Sequence, residues 1–166
     1  MTDNELIIVS RTDPRCEECL LLSEHSWTEL HQLYGDIDRA EFFALDFTVA
    51  GSAFVIARQS GQPVGCGAIR QFAPGVAEIK RIFVEPGTRQ RGLGRRILSA
   101  LEVIARDFGY KALQLETGLR QPAAIRLYEA AGYQRIPAYG RYCNDPLSVC
   151  FGKVLTIAPT GTTPAR

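Results

Sequence analysis

The sequence predicts one α/β domain, a mixed sheet flanked by helices. Three observations carry this. The 166-residue length suits a single domain with its own core, and 46% hydrophobic against 22% charged residues is globular composition. Hydrophobic periodicity gives strand-like runs punctuated by Gly and Pro, then alternation between strand and helix periods. Finally, in Val76 to Leu98 a β-rich run ends at Glu85-Pro86-Gly87 and a helical period opens around Arg89-Gln90-Arg91-Gly92-Leu93-Gly94-Arg95. No internal repeat or interdomain linker interrupts the chain, so residues 1–156 form the domain and 157–166, rich in Thr, Pro and Gly, a flexible tail.

In order, residues 6–9 read as a short strand, and Asp13-Pro14 as a helix start with Asp as cap and Pro in the first turn. The helical segment to Tyr34 reads as two pieces, with Leu20, Leu21, Trp27, Leu30 and Leu33 on a buried face and Gly35 ending it. Residues 38–45 suit a short helix, with Phe42, Phe43 and Phe47 packing into the core or covering a cleft. Strands over 53–58 and 64–72 form a hairpin about Ser60-Gly61-Gln62-Pro63, and Ala73-Pro74-Gly75 turns into a third strand, 76–84. A helix over 92–108 places Leu93, Ile97, Leu101 and Ile104 on one face and stops at Gly109. A strand over 111–117, a helix over 121–131 ended by Gly132, a strand over 133–136, a Gly/Pro/Tyr loop over 137–146 and a strand over 147–155 complete the order.

A net charge of +1 gives no reason to invoke nucleic acid or an acidic membrane, and the arginines at 89–96 make too short a run to track a phosphate backbone. No apolar run spans a bilayer, and Asp3 and Glu5 stand where a signal peptide would be basic, so the cytoplasm is expected. Five cysteines, an odd number, suit reduced thiols. Cys16-Glu17-Glu18-Cys19 is a CxxC without a second pair at zinc spacing, although His25 and His31 lie in the same helical region; no metal is expected.

A glycine-containing turn at a helix start offers backbone amides without intrahelical partners at the positive end of the helix dipole, suited to a phosphate or pyrophosphate. Arg89-Gln90-Arg91-Gly92-Leu93-Gly94 resembles the R/Q-x-x-G-x-G/A signature of the GCN5-related N-acetyltransferases (GNAT). Gln121-Pro-Ala-Ala124-Ile-Arg-Leu127-Tyr128-Glu-Ala-Ala-Gly132-Tyr133 is similar to that family's N-x-x-A-x-x-L-Y-x-x-x-G-F/Y helix, and Val64-Gly65-Cys66-Gly67 to its V-G hairpin strand.

The resemblance implies a mostly antiparallel sheet splayed between its central strands, with acetyl-CoA in the opening. It implies that amides from Gln90 to Arg95 cradle the pyrophosphate, with Gly92 and Gly94 lacking obstructing Cβ atoms and Arg89, Arg91 and Arg95 adding positive field. Backbone at Ile82, Phe83 and Val84 matches the pantetheine-binding strand, and an amide near Val84 the group facing the thioester oxygen. Gln121 stands where the family often has Asn, and with Ala124 and Tyr128 lies on the helix facing the cofactor. Tyr128 matches the family's general acid. Glu78, in Ala77-Glu78-Ile79, resembles the strand glutamate that deprotonates the amine in the histone-modifying branch; Glu116 and a water chain remain alternatives, as does an ion pair of Glu78 with Lys80 or an arginine on a neighbouring strand. Strand alternation puts Glu78 and Lys80 on one face and Ile79 and Arg81 on the other, provided no bulge intervenes.

The function expected is transfer of acetyl from acetyl-CoA to a primary amine of a small molecule or peptide by direct attack, by a monomer or homodimer; the alternative is a non-catalytic acyl-CoA-binding sensor. Covalent transfer through Cys66, Cys143 or Cys150 is disfavoured because none has a visible His partner. The acceptor walls fall at 20–47 and 137–146, with Trp27, Tyr34, Phe42, Phe43, Tyr139 and Tyr142, although these aromatics could equally complete the core. Asp36, Asp38, Glu41 and Asp46 are either an attraction for a cationic amine or a solvated face.

Overall fold

The apolar run Ala53-Phe-Val-Ile-Ala57 has no polar side to turn to water, and it forms an inner strand covered on both faces. The computed structural model describes residues 6–156, so the expected tail at 157–166 and acidic residues Asp3 and Glu5 lie outside the described residues. The elements are β1 (Ile7–Thr12), α1 (Glu17–Tyr34), α2 (Arg39–Phe43), β2 (Ala53–Gln59), β3 (Gln62–Ala73), β4 (Val76–Val84), α3 (Leu93–Asp107), β5 (Ala112–Gly118), α4 (Pro122–Ala130), β6 (Gln134–Ile136) and β7 (Ser148–Val154). They build a seven-stranded sheet in the order β1-β2-β3-β4-β5-β7-β6, antiparallel except where β4 meets β5.

One face packs on α3 and α4. Leu93, Ile97, Leu98 and Leu101 are buried against Val55, Ile69, Ile79, Leu113, Leu115 and Phe151. Close approach of α3 depends on two β3 glycines: a Cβ at Gly65 would lie 2.9 Å from Ile97 Cδ1, and one at Gly67 2.7 Å from Ile97 Cγ2. The other face packs on α1, where Cys19 and Leu22 join Phe54, Ile56, Cys66, Ala68 and Phe83.

Helix α1 departs from the sequence reading in three ways. It is continuous over 18 residues, and its N-cap is Cys16, whose Sγ accepts from Cys19 N; Asp13 instead closes the preceding turn, accepting from Arg15 N at 2.9 Å. The buried stripe is Cys19, Leu22, Ser23 and Ser26, while Leu20 and Leu21 are 51% and 50% exposed. Small polar Ser23 and Ser26 let the helix sit close to the sheet, a stripe that a hydrophobic count overlooks.

Two irregularities open the sheet. Strands β4 and β5 pair only from Val76↔Ala112 to Ile79↔Leu115; β4 then runs on to Val84 while β5 turns its other edge to β7. Along β4, Lys80 faces Ala68 but Phe83 faces Cys66, an extra residue that makes a bulge with Arg81 at φ 63°. The bulge reverses the alternation. Arg81 therefore does not share a face with Ile79: Ile82 and Val84 join Ile79 on the α3 side, and Arg81 turns with Lys80 and Phe83 toward α1 and α2.

Candidate active site

The splay between β4 and β5 is roofed by α1, α2 and the loop before β7, enclosing a cavity of about 930 Å³. Of the residues singled out by sequence, Glu78, Ile82, Phe83, Gln121, Ala124 and Tyr128 line it, together with Glu116. Val84 and the turn 89–95 lie outside that lining and are reached along β4 beyond Phe83. The β4 edge beyond Ile79 has no β5 partner, which leaves backbone available to an extended ligand.

The turn before α3 has backbone geometry suited to an anion. Gln90 and Gly92 both take left-handed backbone, φ 64° and 76°, and no described residue lies within 4 Å of where a Gly92 Cβ would stand. The helix's first internal bond runs from Arg96 N to Gly92 O at 3.1 Å, so the amides of Leu93, Gly94 and Arg95 have no acceptor within it. This cradle fits a pyrophosphate. Gly94 has a different reason from the one read in sequence: its Cβ would meet Leu127 Cδ2 at 3.1 Å, so it lets the turn abut α4. Arg89 bridges to Glu29 of α1 and donates Nε to Val84 O at 2.8 Å, fixing the turn to the end of β4.

Tyr128 enters the cavity from α4, only 5% exposed, its ring packed edge-on to Tyr133 and tilted against Phe151. Its hydroxyl makes no hydrogen bond among the described residues. Burial, and secondarily the Glu116 charge, push its pKa up, so the phenol stays protonated at neutral pH. Gln121 stands at the start of the same helix, and its Oε1 accepts from Tyr34 Oη at 3.3 Å, tying α4 to the end of α1.

Two carboxylates face the opening from one sheet face, because Glu78 pairs in register with Gln114 and Glu116 lies one side-chain step farther along β5. Glu78, 5% exposed, accepts from Tyr139 Oη at 2.8 Å and lies 3.6 Å from Lys80 Nζ, which in turn donates to Tyr142 Oη at 2.7 Å. The ion pair weighed in sequence is therefore present, with Lys80. Among the described residues Glu116 accepts only from Ser148 Oγ, at 2.7 Å, and burial raises its pKa against that bond.

Of the aromatics expected at an acceptor wall, Tyr34, Phe42, Tyr139 and Tyr142 line the cavity, whereas Trp27 stacks on His31 and Phe43 packs on Phe42, both outside the lining. Asp38 caps α2 by accepting from Glu41 N, and Glu41 pairs with Arg141, so those acids have structural partners. Sequence reasoning did not single out Arg81, which lines the cavity and stacks on Phe42 with its Cζ 3.2 Å from the ring centre. Only the bulge brings it there, and KRIFV carries no local mark of a bulge. Cys16 and Cys19 lie Sγ to Sγ at 3.2 Å, but His25 turns to Glu85 and His31 to Trp27; among the described residues no cluster of metal-ligating side chains forms.

Known proteins share this architecture. A 38% identical relative, an IAA acetyltransferase of Azospirillum brasilense, aligns over 90% of this chain and 98% of its own. A Klebsiella pneumoniae structure described as a candidate acyl-CoA N-acyltransferase superposes with TM-score 0.76 at 34% identity, covering 92% of this chain and all of that one. The PaiA N-acetyltransferase of Thermoplasma acidophilum, solved with coenzyme A, superposes at TM-score 0.71 and 15% identity over 90% of this chain and 99% of that one, a likeness of fold. The profile of the Acetyltransferase (GNAT) family matches residues 19–133, and with the splayed sheet and the glycine turn it places this chain in that family of acyltransferases.

Proposed function

We propose that the protein moves the acetyl group of acetyl-CoA to a primary amine of a small molecule or peptide, with both substrates bound together and the amine attacking directly. Bound acetyl-CoA supplies an activated thioester. The first-turn amides of α3 and Gly92 hold its pyrophosphate, while the open edge at Ile82, Phe83 and Val84 aligns the pantetheine arm. Tyr128 keeps its proton until the sulfur needs it, and its unpartnered hydroxyl is the observation that carries this reading.

Glu116 is the better proton acceptor of the two carboxylates. Both Tyr139 and Lys80 hold the Glu78 carboxylate, whereas Glu116 has one hydrogen-bond partner among the described residues, a raised pKa and Tyr128 as its electrostatic neighbour. Glu78 then fixes Tyr139 and Lys80 in the acceptor wall. Burial pushes the Cys66 thiol up to about 12, which suits direct attack better than transfer through that cysteine. Five unpaired cysteines suit a reducing compartment, and we place the activity in the cytoplasm.

The test is calorimetric titration with acetyl-CoA followed by thiol release across amines and peptide N-termini. Saturable binding, acceptor-dependent thiol release and intersecting initial-rate lines are expected. Parallel lines would indicate a covalent acyl-enzyme, and binding without thiol release on any acceptor would indicate a sensor.

A further inference from the structure

Arg81 is a cation that no anion among the described residues meets. Its Nη2 donates to the Phe42 carbonyl and its plane lies on the Phe42 ring, yet no carboxylate among the described residues comes within ion-pair distance. The nearby acids are engaged elsewhere: Glu78 with Lys80 and Tyr139, Glu41 with Arg141, Asp38 with the α2 cap. Burial draws the Arg81 pKa down to about 10, still charged at neutral pH, and no carboxylate contributes to that balance.

The bulge that turns its side chain into the cavity holds the residue in left-handed backbone, φ 63°. An anion arriving in the cavity that Arg81 lines compensates the desolvated cation. A second donor lines the same cavity. Tyr142, an electrostatic neighbour of Arg81, accepts at its Oη from Lys80 and so has its own proton to give.

We infer that Arg81 and Tyr142 form a carboxylate subsite, and that the acceptor is a compact amine bearing a carboxylate, of the amino-acid type. This rests on the acetyl-transfer reading and names its substrate class. With the acceptor carboxylate on Arg81, its amine remains in the same cavity as Glu116 and Tyr128. Planar guanidinium pairs two-pronged with a carboxylate, so lysine is a poor substitute there. Were Arg81 only a clamp between the bulge and α2, its loss would lower stability and affect every acceptor alike.

The experiment compares α-amino acids with their carboxamides as acceptors, by thiol release at saturating acetyl-CoA. The wild-type protein should show a KM about 10- to 100-fold lower for the acids. Arg81→Gln should erase that ratio while leaving the KM for acetyl-CoA within about twofold, and Arg81→Lys should restore it partly. Equal KM for acid and carboxamide in the wild-type protein overturns the subsite, and that comparison needs no variant. Equal losses on both acceptors in Arg81→Gln overturn it too. If CoA binds but no acceptor releases thiol, the transferase reading fails separately; calorimetry of N-acetylated amino acids and their carboxamides into CoA-loaded protein then decides, with acid-selective binding supporting the subsite and its absence overturning it.

Discussion

Replacing Tyr128 by Phe removes one oxygen and separates chemistry from packing. The ring contacts to Tyr133 and Phe151, at centroid distances of 6.0 and 5.9 Å, survive the change. The lost hydroxyl has no hydrogen-bond partner among the described residues, so stability should change by less than about 1 kcal/mol, within about 4 °C in Tm for a chain of this size. A positioned general acid contributes on the order of 10²- to 10⁴-fold, or about 2.7 to 5.4 kcal/mol of barrier. Steady-state thiol release should therefore show kcat reduced by that factor, with the calorimetric affinity for CoA within about twofold of wild type. Since burial keeps the phenol protonated well above neutrality, the wild-type rate should show no alkaline fall from this group near pH 8 to 9. A Tyr128→Phe enzyme with more than a third of the wild-type kcat, or one that loses its stability along with its activity, refutes the assignment.

Glu116→Gln should lower kcat about a hundredfold or more, and the wild-type rate should fall as pH drops through the raised Glu116 pKa, because the base must be ionised. The stability sign is opposite: a carboxyl with a raised folded pKa contributes most below its unfolded value and loses that contribution as pH rises, so Glu116→Gln should melt higher than wild type at pH 7, with the gain vanishing in acid. Glu78→Gln should mainly raise the acceptor KM, through loosened Tyr139 and Lys80; a kcat loss exceeding that of Glu116→Gln would return the base role to Glu78. Gly118→Ala would put a Cβ 1.8 Å from Tyr34 Oη, evicting the ring that bonds Gln121 Oε1 and Arg120 N; thermal unfolding should fall by several degrees for a cost of about 2–3 kcal/mol, and adding Tyr34→Ala should cost less than the two changes measured apart.

The strand and helix order and the glycine turn were legible because they are written in local pattern: β4 at 76–84 matches its apolar run, and α3 starts at the glycine motif as expected. Helix α1 was misjudged at its face because serines take buried positions there, and at its start because Cys16, rather than Asp13, caps it. The alternation rule failed at Arg81 for a tertiary reason. An extra residue in β4 against β3 leaves no local sequence mark, yet it decides which side chains face the cavity. The two glutamates were both visible; their ranking depends on partners from the loop before β7, Tyr139 for one and the adjoining Ser148 for the other, which only the folded chain brings near.

The most direct measurement is calorimetric titration of coenzyme A into the wild-type protein and into Gly92→Glu, which sets bulk and a negative charge before the first-turn amides of α3 that have no acceptor within the helix. Saturable binding to the wild type and none to a folded Gly92→Glu variant is the predicted result. A wild type that does not bind coenzyme A, or a variant that binds it equally well, would contradict the placement of the pyrophosphate at this turn and the acetyl-transfer account built on it.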